Sequence, residues 1–223
     1  MSHANRQHFD SAARWFLHHQ DPATGGYPVS ATRSLAEGRL VLNKGWHSAM
    51  AQGHALSVLS RAYLLTKNES FLEAARKATR LFDVKAEDGG VLNHFLDKFP
   101  WYEEYPTTPG SFVLNGFIYS LIGLFDLMKT ETSAVERIRV ERLYRRGMES
   151  LKALLPLYDT GSGTVYDLRH VALKTQPNLA RDDYHALHIY QMQWLYNMEK
   201  ADIFKEYAKR WEGYAFGERA RHN

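Results

Sequence analysis

The amino-acid sequence predicts an all-α fold: an incomplete (α/α) toroid of helix hairpins, with long loops at one end. Apolar residues recur at helical spacing along most of the chain, and strand patterns are few. One-sided helices alternate with helices that are apolar on nearly every side, as the outer and inner layers of a ring would be. Glycine turns that follow an aspartate recur at Gly25, Gly89 and Gly161, which indicates repeats of one helix pair. An open solenoid is the alternative, although its repeats are normally shorter.

The first helix pair is predicted at residues 1–20 and 46–66. The first helix is one-sided and must end before Pro22 and the two glycines that follow it. The second helix has almost no polar face and therefore belongs inside the assembly. Two short strands could form between these helices, at Tyr27-Pro-Val and Leu40-Val-Leu.

The same order recurs twice more along the chain. The one-sided helices are predicted at 69–83 and 133–155, the crowded helices at 113–128 and 184–198, and a last one-sided helix at 201–216. Ser133 and Glu136 form a capping-box pattern at the start of the longest helix. The loops at 88–110 and 159–183 each precede a crowded helix, so we expect them to meet at one end of the ring. Long loops in a compact fold are usually functional, and the site is expected there.

Length and composition favour one globular domain over residues 1–223. Apolar residues make up 44% and charged residues 24%, which excludes wholesale disorder. No apolar run approaches the roughly 20 residues that cross a bilayer, and the N-terminus has no secretory signal pattern. The absence of cysteine excludes disulfides, thiolate catalysis and Cys-ligated zinc. The net charge of +3 weakly indicates anionic partners, but the arginine-rich stretch 137–146 is typical of a solvated helix face and not of a nucleic-acid track.

Two adjacent carboxylates stand between aromatic residues in the loop before the second crowded helix. Glu103 and Glu104 lie between Tyr102 and Tyr105. Repulsion between neighbouring acids raises the pKa of at least one of them unless a cation is near, and such a group suits acid–base catalysis. The alternative is a proline-stiffened surface loop whose acids are solvated.

The loop before the third crowded helix carries a phenol and a guanidinium three positions apart, Tyr166 and Arg169. A turn would bring them to one side, where the arginine fork could bind a carboxylate and its charge could lower the pKa of the phenol. The alternative is an Asp167–Arg169 surface ion pair, which is worth little energetically.

Two further features are weaker candidates. His185 and His188, at i and i+3, could share a metal ion, but no Glu partner is evident. We therefore expect hydrogen-bonded or cavity-facing histidines and no metal site. Trp46 begins the first crowded helix beside a loop, a position that suits stacking on a sugar ring.

Five long strings, in the same order along the chain, closely resemble the C-terminal α-helical domain of the heparan sulfate D-glucuronyl C5-epimerase family. They are Gly-Trp-His-Ser-Ala-Met-Ala-Gln-Gly (45–53), Tyr-Glu-Glu-Tyr-Pro-Thr-Thr-Pro (102–109), Phe-Val-Leu-Asn-Gly-Phe (112–117), Leu-Tyr-Asp-Thr-Gly-Ser-Gly-Thr-Val-Tyr-Asp-Leu-Arg-His (157–170) and Pro-Asn-Leu-Ala-Arg (177–181). The likeness extends over about residues 27–223. Several unusual strings in one order are far more specific than a single short motif.

The resemblance implies a catalytic domain that converts D-glucuronate to L-iduronate residues in N-sulfated heparosan or heparan sulfate, without a cofactor. The family's acid/base carboxylate, its three active-site phenols and its carboxylate-binding arginine fall on positions of this chain. Catalysis is then expected from Glu104, Tyr105, Tyr166 and Tyr184, and substrate binding from Arg169, Arg181 and Trp46.

The implied chemistry agrees with these residue types. Inverting C5 removes a weakly acidic proton beside a carboxylate and returns a proton from the opposite face. Two acid/base groups must therefore flank the ring, and we expect Glu104 and Tyr184 to be this pair, with the face that each serves unassigned. Tyr105 and Tyr166 would hydrogen-bond the developing aci-carboxylate or set the pKa of the bases, and Arg169 would neutralise its charge.

The resemblance also implies an anionic glucuronate-containing polysaccharide as partner, a homodimer and a Golgi location. Family members precede this domain with β-structured domains and usually a membrane anchor, whereas this chain begins at Met1 almost directly in the α-domain. Asp182 replaces an aromatic residue of the family. The aromatic face of the last helix is a candidate dimer contact or simply a packed outer helix; it consists of Phe204, Tyr207, Trp211 and Tyr214.

Two other functions stay open at this point. A uronate polysaccharide lyase shares the enolate-like intermediate and then expels the C4 oxygen instead of returning a proton. A non-catalytic glycan-binding or assembly module is the alternative from another class.

Overall fold

The computed structural model describes residues 3–220. Within this range the chain forms eight α-helices and two small antiparallel hairpins. The ends of the predicted first helix and of the family resemblance, at 1–2 and 221–223, lie outside the described residues. No described helix combines the length and the apolar character needed to cross a membrane.

The helices and strands follow one another in an order close to that predicted. They are α1 (His3–His19), β1 (Arg33–Leu35), β2 (Leu40–Leu42), α2 (Ala49–Thr66), α3 (Glu69–Ala78), β3 (Leu92–Phe95), β4 (Phe99–Tyr102), α4 (Leu114–Thr130), α5 (Ala134–Leu154), α6 (Arg169–Leu173), α7 (Asp182–Glu199) and α8 (Asp202–Ala215). β1 pairs with β2, and β3 pairs with β4 in a register that places Asn93 opposite Trp101.

Local sequence explains where several helices begin. The Ser48 hydroxyl accepts a hydrogen bond from the Ala51 amide at the start of α2, and Asn68 caps α3 in the same way. The Ser133 hydroxyl accepts from the Glu136 amide, which confirms the predicted N-cap of α5. The capping box is not complete, because the Ser133 amide donates to Glu131 Oε1 and not to Glu136. Such side chains satisfy amides that have no partner within the helix.

The predicted toroid of outer and inner helices is confirmed. α2, α4 and α7 form the inner layer, in which α2 packs on α4 and α4 on α7. Against them lie the outer helices: α1 and α3 on α2, α5 on α4, and α8 on α7. The aromatic face of α8 packs inward, since Phe204, Trp211 and Tyr214 are buried. α8 is therefore a packed outer helix, which is the second of the two interpretations given above for its aromatic face.

α2 and α4 pack with their backbones in contact, because two glycines face each other. A Cβ atom on Gly53 would lie 2.5 Å from the Tyr119 carbonyl oxygen, and one on Gly123 would overlap the Gly53 carbonyl oxygen. Only hydrogen fits at these positions. The close approach fixes the spacing of the first two helix pairs and of the loops that lead into them.

The structure corrects three sequence-based expectations of the fold. The loop predicted at 88–110 contains the β3–β4 hairpin, and β1 was not predicted at all. Pro28 makes one isolated bridge to His47 in place of the strand proposed at 27–29, whereas the strand at 40–42 is confirmed. These short segments alternate too little for their pairing to be visible in the sequence.

A fourth correction concerns α7, which is not apolar on nearly every side. Its buried side chains lie on one face, whereas Tyr190 is 57% exposed. As the last inner helix of an incomplete ring, α7 packs on α4 and α8 and leaves its other face in solvent.

The three long loops, which precede α2, α4 and α7, meet at one end of the ring, as predicted. The Ala49 amide donates to the Glu103 carbonyl at 2.8 Å, which joins the first loop to the second. The Leu168 amide donates to the Ser111 carbonyl at 3.2 Å, which joins the third loop to the second. Backbone hydrogen bonds between distant segments thus build a continuous surface above the inner helices.

We predict that Gly53→Ala destabilises the fold by roughly 1–3 kcal/mol, because its methyl group has no space against α4. Urea unfolding measures the free energy of unfolding. Gly163→Ala is the matched control, since its Cβ would meet only the Thr160 hydroxyl oxygen at 3.8 Å. Equal losses in the two variants would contradict the close packing of α2 on α4.

Candidate active site

A cleft of about 260 Å³ opens at the loop end of the ring. All three long loops and the first turn of α7 contribute to its walls. The lining residues are Arg33, Leu35, Tyr105, Ser111, Val113, Tyr166, Asp167, Arg169, Asn178, Leu179, Ala180, Arg181 and Tyr184. Five of the seven sequence-predicted site residues therefore line one cleft. The other two, Glu104 and Trp46, do not line it, but each interacts with the cleft residue Tyr105.

Glu103 is fully buried and has a structural position. One carboxylate oxygen accepts from Asn93 Nδ2 at 3.1 Å; the other accepts from the Ser111 hydroxyl and the Phe112 amide, each at 2.9 Å. Burial raises the pKa of Glu103 to about 7, and these donors oppose the shift. The interpretation of 103–104 as solvated surface acids is wrong, because Glu104 is also buried.

Glu104 lies directly behind the cleft-lining Tyr105. Only 4% of its surface is exposed, and its carboxyl packs on Gly116 in the first turn of α4, where a larger side chain would overlap it. Burial raises its pKa to about 7, while the Tyr105 hydroxyl and the Arg33 charge lower it and Asp167 raises it further. Among the described residues Oε2 has no hydrogen-bond partner. Such a carboxyl populates both protonation states near neutral pH, which suits an acid–base group.

The three phenols extend from Glu104 across the cleft. Burial and the Glu104 charge raise the pKa of Tyr105 to about 12, and the same two causes raise the pKa of Tyr166 above its usual value. The Tyr166 and Tyr184 rings meet edge to face, with centroids 4.8 Å apart. Tyr105 and Tyr166 thus remain protonated hydrogen-bond donors at neutral pH. The expected lowering of the Tyr166 pKa by Arg169 is wrong, because burial dominates.

Backbone bonds hold Tyr166 between two elements. Its amide donates to the Asn178 carbonyl at 2.7 Å, and its carbonyl accepts from the Leu114 amide at the start of α4 at 3.1 Å. Tyr184 lies in the first turn of α7. The positions of both phenols are therefore set by the packing of α4 on α7.

His185 and His188 stabilise this arrangement from inside. His185 Nε2 lies 3.0 Å from the Trp211 carbonyl, which can only accept, so Nε2 carries the proton. The Nδ1 atoms of both histidines contact the Thr164 hydroxyl, at 3.1 and 2.9 Å. Burial lowers the pKa of His188 to about 3, which keeps its ring neutral. Within residues 3–220 no cluster of three or more His, Asp or Glu side chains is placed to hold a metal ion.

Arg169 forms the ion pair that the sequence offered as an alternative, but the pair is not at the surface. Its Nη2 lies 3.2 Å from Asp167 Oδ2, and Asp167 is 1% exposed. Asn178 Nδ2 donates to the same oxygen at 2.7 Å. Arg169 therefore enters the cleft with its charge already opposed by a buried carboxylate.

The two other residues expected to bind substrate differ in position. Arg181 lines the cleft, with its guanidinium carbon 5.9 Å from the Tyr184 ring centroid. Trp46 is not among the lining residues: its ring lies 5.8 Å from that of Tyr105, and its Nε1 donates to the Ala31 carbonyl at 3.0 Å. Stacking of Trp46 on a sugar stays a prediction.

Sequence reasoning missed four polar residues of the cleft. Arg33 lies on the unpredicted strand β1, and no motif distinguishes it from other exposed arginines. Asp167 and Asn178 occur within or beside quoted strings, but no role was given to them as cleft residues, and Ser111 was not singled out. Their importance comes from contacts between loops, which no local pattern records.

Comparison with known proteins places these features in context. The profile described as "D-glucuronyl C5-epimerase C-terminus" matches residues 20–213. A D-glucuronyl C5-epimerase of Caenorhabditis elegans is 54% identical over 223 residues, which cover 96% of this chain and 36% of that protein. An uncharacterized protein of Methanocaldococcus jannaschii is 35% identical over 174 residues, with coverage of 76% and 53%. The chain thus spans between a third and about half of the length of these relatives.

Among solved structures, cellobiose 2-epimerase from Spirochaeta thermophila has a similar fold. The TM-score is 0.60 at 16% identity, and the match covers 92% of this chain and 52% of that one. At this identity the similarity concerns the fold alone.

We predict that Glu104→Gln stabilises the protein at alkaline pH. The folded-state pKa of Glu104, about 7, lies above the ordinary value of 4.5. The carboxyl therefore ionises at lower pH in the unfolded chain than in the folded protein. The native state loses stability as the pH rises from about 4.5 to 7. The variant should gain roughly 1–3 kcal/mol at pH 8 and little at pH 4. Denaturant unfolding at both pH values measures this.

Glu103→Gln is the matched control. Its oxygens accept from three donors, so an amide NH₂ group would face a donor. The pKa of Glu103 is raised like that of Glu104, so Glu103→Gln should be less stable than Glu104→Gln at both pH values. If Glu104→Gln is equally destabilised, the unpartnered carboxyl described above is incorrect.

Proposed function

The chain belongs to the D-glucuronyl C5-epimerase family, and from this premise we propose that it inverts C5 of D-glucuronate residues to give L-iduronate. The proposed substrate is an N-sulfated, glucuronate-containing polysaccharide. The observation that carries the proposal is the convergence of one buried carboxyl and three phenols, Glu104, Tyr105, Tyr166 and Tyr184, on a cleft that arginines also line.

The reaction needs a base for a proton of very low acidity. Deprotonation at C5 places a second negative charge beside the carboxylate, so the site must offset that charge. Glu104, with a pKa of about 7, can accept or donate this proton near neutral pH. Its near-complete burial disfavours the ionised form, which makes the carboxylate a stronger base.

Tyr184 is the proposed second acid/base group, on the other face of the sugar. It comes from α7, whereas Glu104 comes from the loop before α4, so the two groups approach the cleft from different elements. Tyr105 and Tyr166, with raised pKa values, would donate hydrogen bonds to the aci-carboxylate as it forms. This proton-transfer route needs no redox cofactor.

Arg169 and Arg181 are the proposed binding groups for anionic parts of the polysaccharide. Both line the cleft, and Arg169 forms an ion pair with the buried Asp167 carboxylate, which restricts its orientation. Trp46, beside Tyr105, would extend the sugar-binding surface past the cleft. A homodimer and a location in the Golgi lumen remain proposals that rest on family membership.

We predict that the protein exchanges the C5 hydrogen of N-sulfated heparosan with solvent. After incubation in deuterated water, NMR should show deuterium at C5 and iduronate signals, with chain length unchanged. A lyase would shorten the chain and create an unsaturated, ultraviolet-absorbing end. Binding without uptake of deuterium would identify a non-catalytic glycan-binding module and refute the proposal.

We predict that Tyr184→Phe lowers turnover by about 100-fold or more, because the ring stays and only the acid/base hydroxyl is lost. Substrate affinity should change little. The readouts are C5 deuterium uptake and the dissociation constant. Tyr190→Phe is the control on the same helix, since Tyr190 is exposed and outside the cleft. Near-normal turnover of Tyr184→Phe rules out its acid/base role.

A further inference from the structure

Arg33 is a cation of the cleft that belongs to a separate structural unit, the hairpin of β1 and β2. It lies at the start of β1, and Leu35 of the same strand also lines the cleft. Its guanidinium carbon is 5.6 Å from the Tyr105 ring centroid. A cation–π contact of this kind holds the side chain at the cleft while its N–H groups stay available.

The charge of Arg33 is not offset in the way that those of the neighbouring arginines are. Arg169 is paired with the buried Asp167, and Arg181 lies 3.4 Å from the exposed Asp183. Among the described residues, no carboxylate oxygen lies within ion-pair distance of Arg33. Its charge nevertheless reaches Glu104, behind Tyr105, since it lowers the pKa of that carboxyl.

We infer that Arg33 binds an oxyanion group of the polysaccharide substrate. The inference rests on the proposed function and adds a binding residue to it. An uncompensated guanidinium beside a cleft pairs best with a carboxylate or a sulfate, whose oxygens match its fork. The charge of Arg169 is already offset by Asp167, whose carboxylate oxygen lies 3.2 Å from one guanidinium nitrogen, so Arg169 attracts a further anion less strongly.

The charge of Arg33 also acts on the acid/base group. Before substrate arrives, Arg33 stabilises the ionised form of Glu104. Tyr105 and Asp167 are the other groups that act on the Glu104 charge.

We test the inference with two probes, N-sulfated heparosan and heparosan without sulfate, by isothermal titration calorimetry at one pH and about 0.15 M salt. Arg33→Gln should bind N-sulfated heparosan roughly 10-fold or more weakly. Arg33→Lys keeps the charge and loses the fork, so it should recover part of the affinity. The matched control is Arg39→Gln, which removes the same charge from the same hairpin but lies outside the cleft.

The two probes identify the anionic group. An equal loss on both assigns the uronate carboxylate to Arg33, and a loss confined to the N-sulfated probe assigns the sulfate. Unchanged affinity of Arg33→Gln for both probes, or an equal loss in Arg39→Gln, overturns the inference. Arg33 is exposed, and equal thermal midpoints of the variants will show that they are folded.

Deuterium uptake at C5, measured on the same proteins, keeps the two proposals apart. Uptake by the unchanged protein together with unaltered affinity of Arg33→Gln refutes the binding role alone. Binding that depends on Arg33 without any uptake supports the binding role and refutes the epimerase activity. If the unchanged protein binds neither probe, both proposals fail.

Discussion

The buried carboxylate of Glu103 is the interaction on which the loop end of the ring depends. Its oxygens accept hydrogen bonds from Asn93, Ser111 and the Phe112 amide. Its backbone carbonyl accepts the Ala49 amide at the start of α2. One residue therefore joins the β3–β4 hairpin, the segment before α4 and the start of α2. Since a carboxyl group removed from water needs hydrogen bonds on its oxygens, these segments must come together for Glu103 to be buried.

The next residue shows what similar burial does with fewer donors. Glu104 shares the raised pKa of Glu103, but one of its oxygens has no partner among the described residues. The buried carboxyl of Glu104 makes the native state less stable, but it can exchange protons near neutral pH. Proteins commonly carry such unfavourable groups where chemistry takes place. Two adjacent acids with similar pKa values thus differ in their hydrogen bonds and in position, since only Glu104 interacts with the cleft-lining Tyr105.

The arginines of the cleft divide in a similar way. Arg169 is held by Asp167 and Asn178, which fixes its orientation and offsets its charge. Arg33 is exposed on the β1–β2 hairpin, lies against the Tyr105 ring and has no ion-paired carboxylate within the described residues. Arg169 can therefore orient an anionic sugar, and Arg33, on a different loop, can attract it by its unpaired charge. The buried phenols add donors that stay protonated at neutral pH.

The sequence by itself determined the helices, their order and their two layers, because apolar spacing reports which face of a helix is buried. It also located the loops and the strings that carry Glu104, Tyr105, Tyr166 and Tyr184. Only the tertiary structure decided that both acids are buried, that Arg169 is already paired, and that Arg33 enters the cleft. The small hairpins and the open face of α7 were equally invisible. Each of these depends on contacts between loops far apart in the chain, and burial, hydrogen bonding and charge at such contacts leave no local pattern to read.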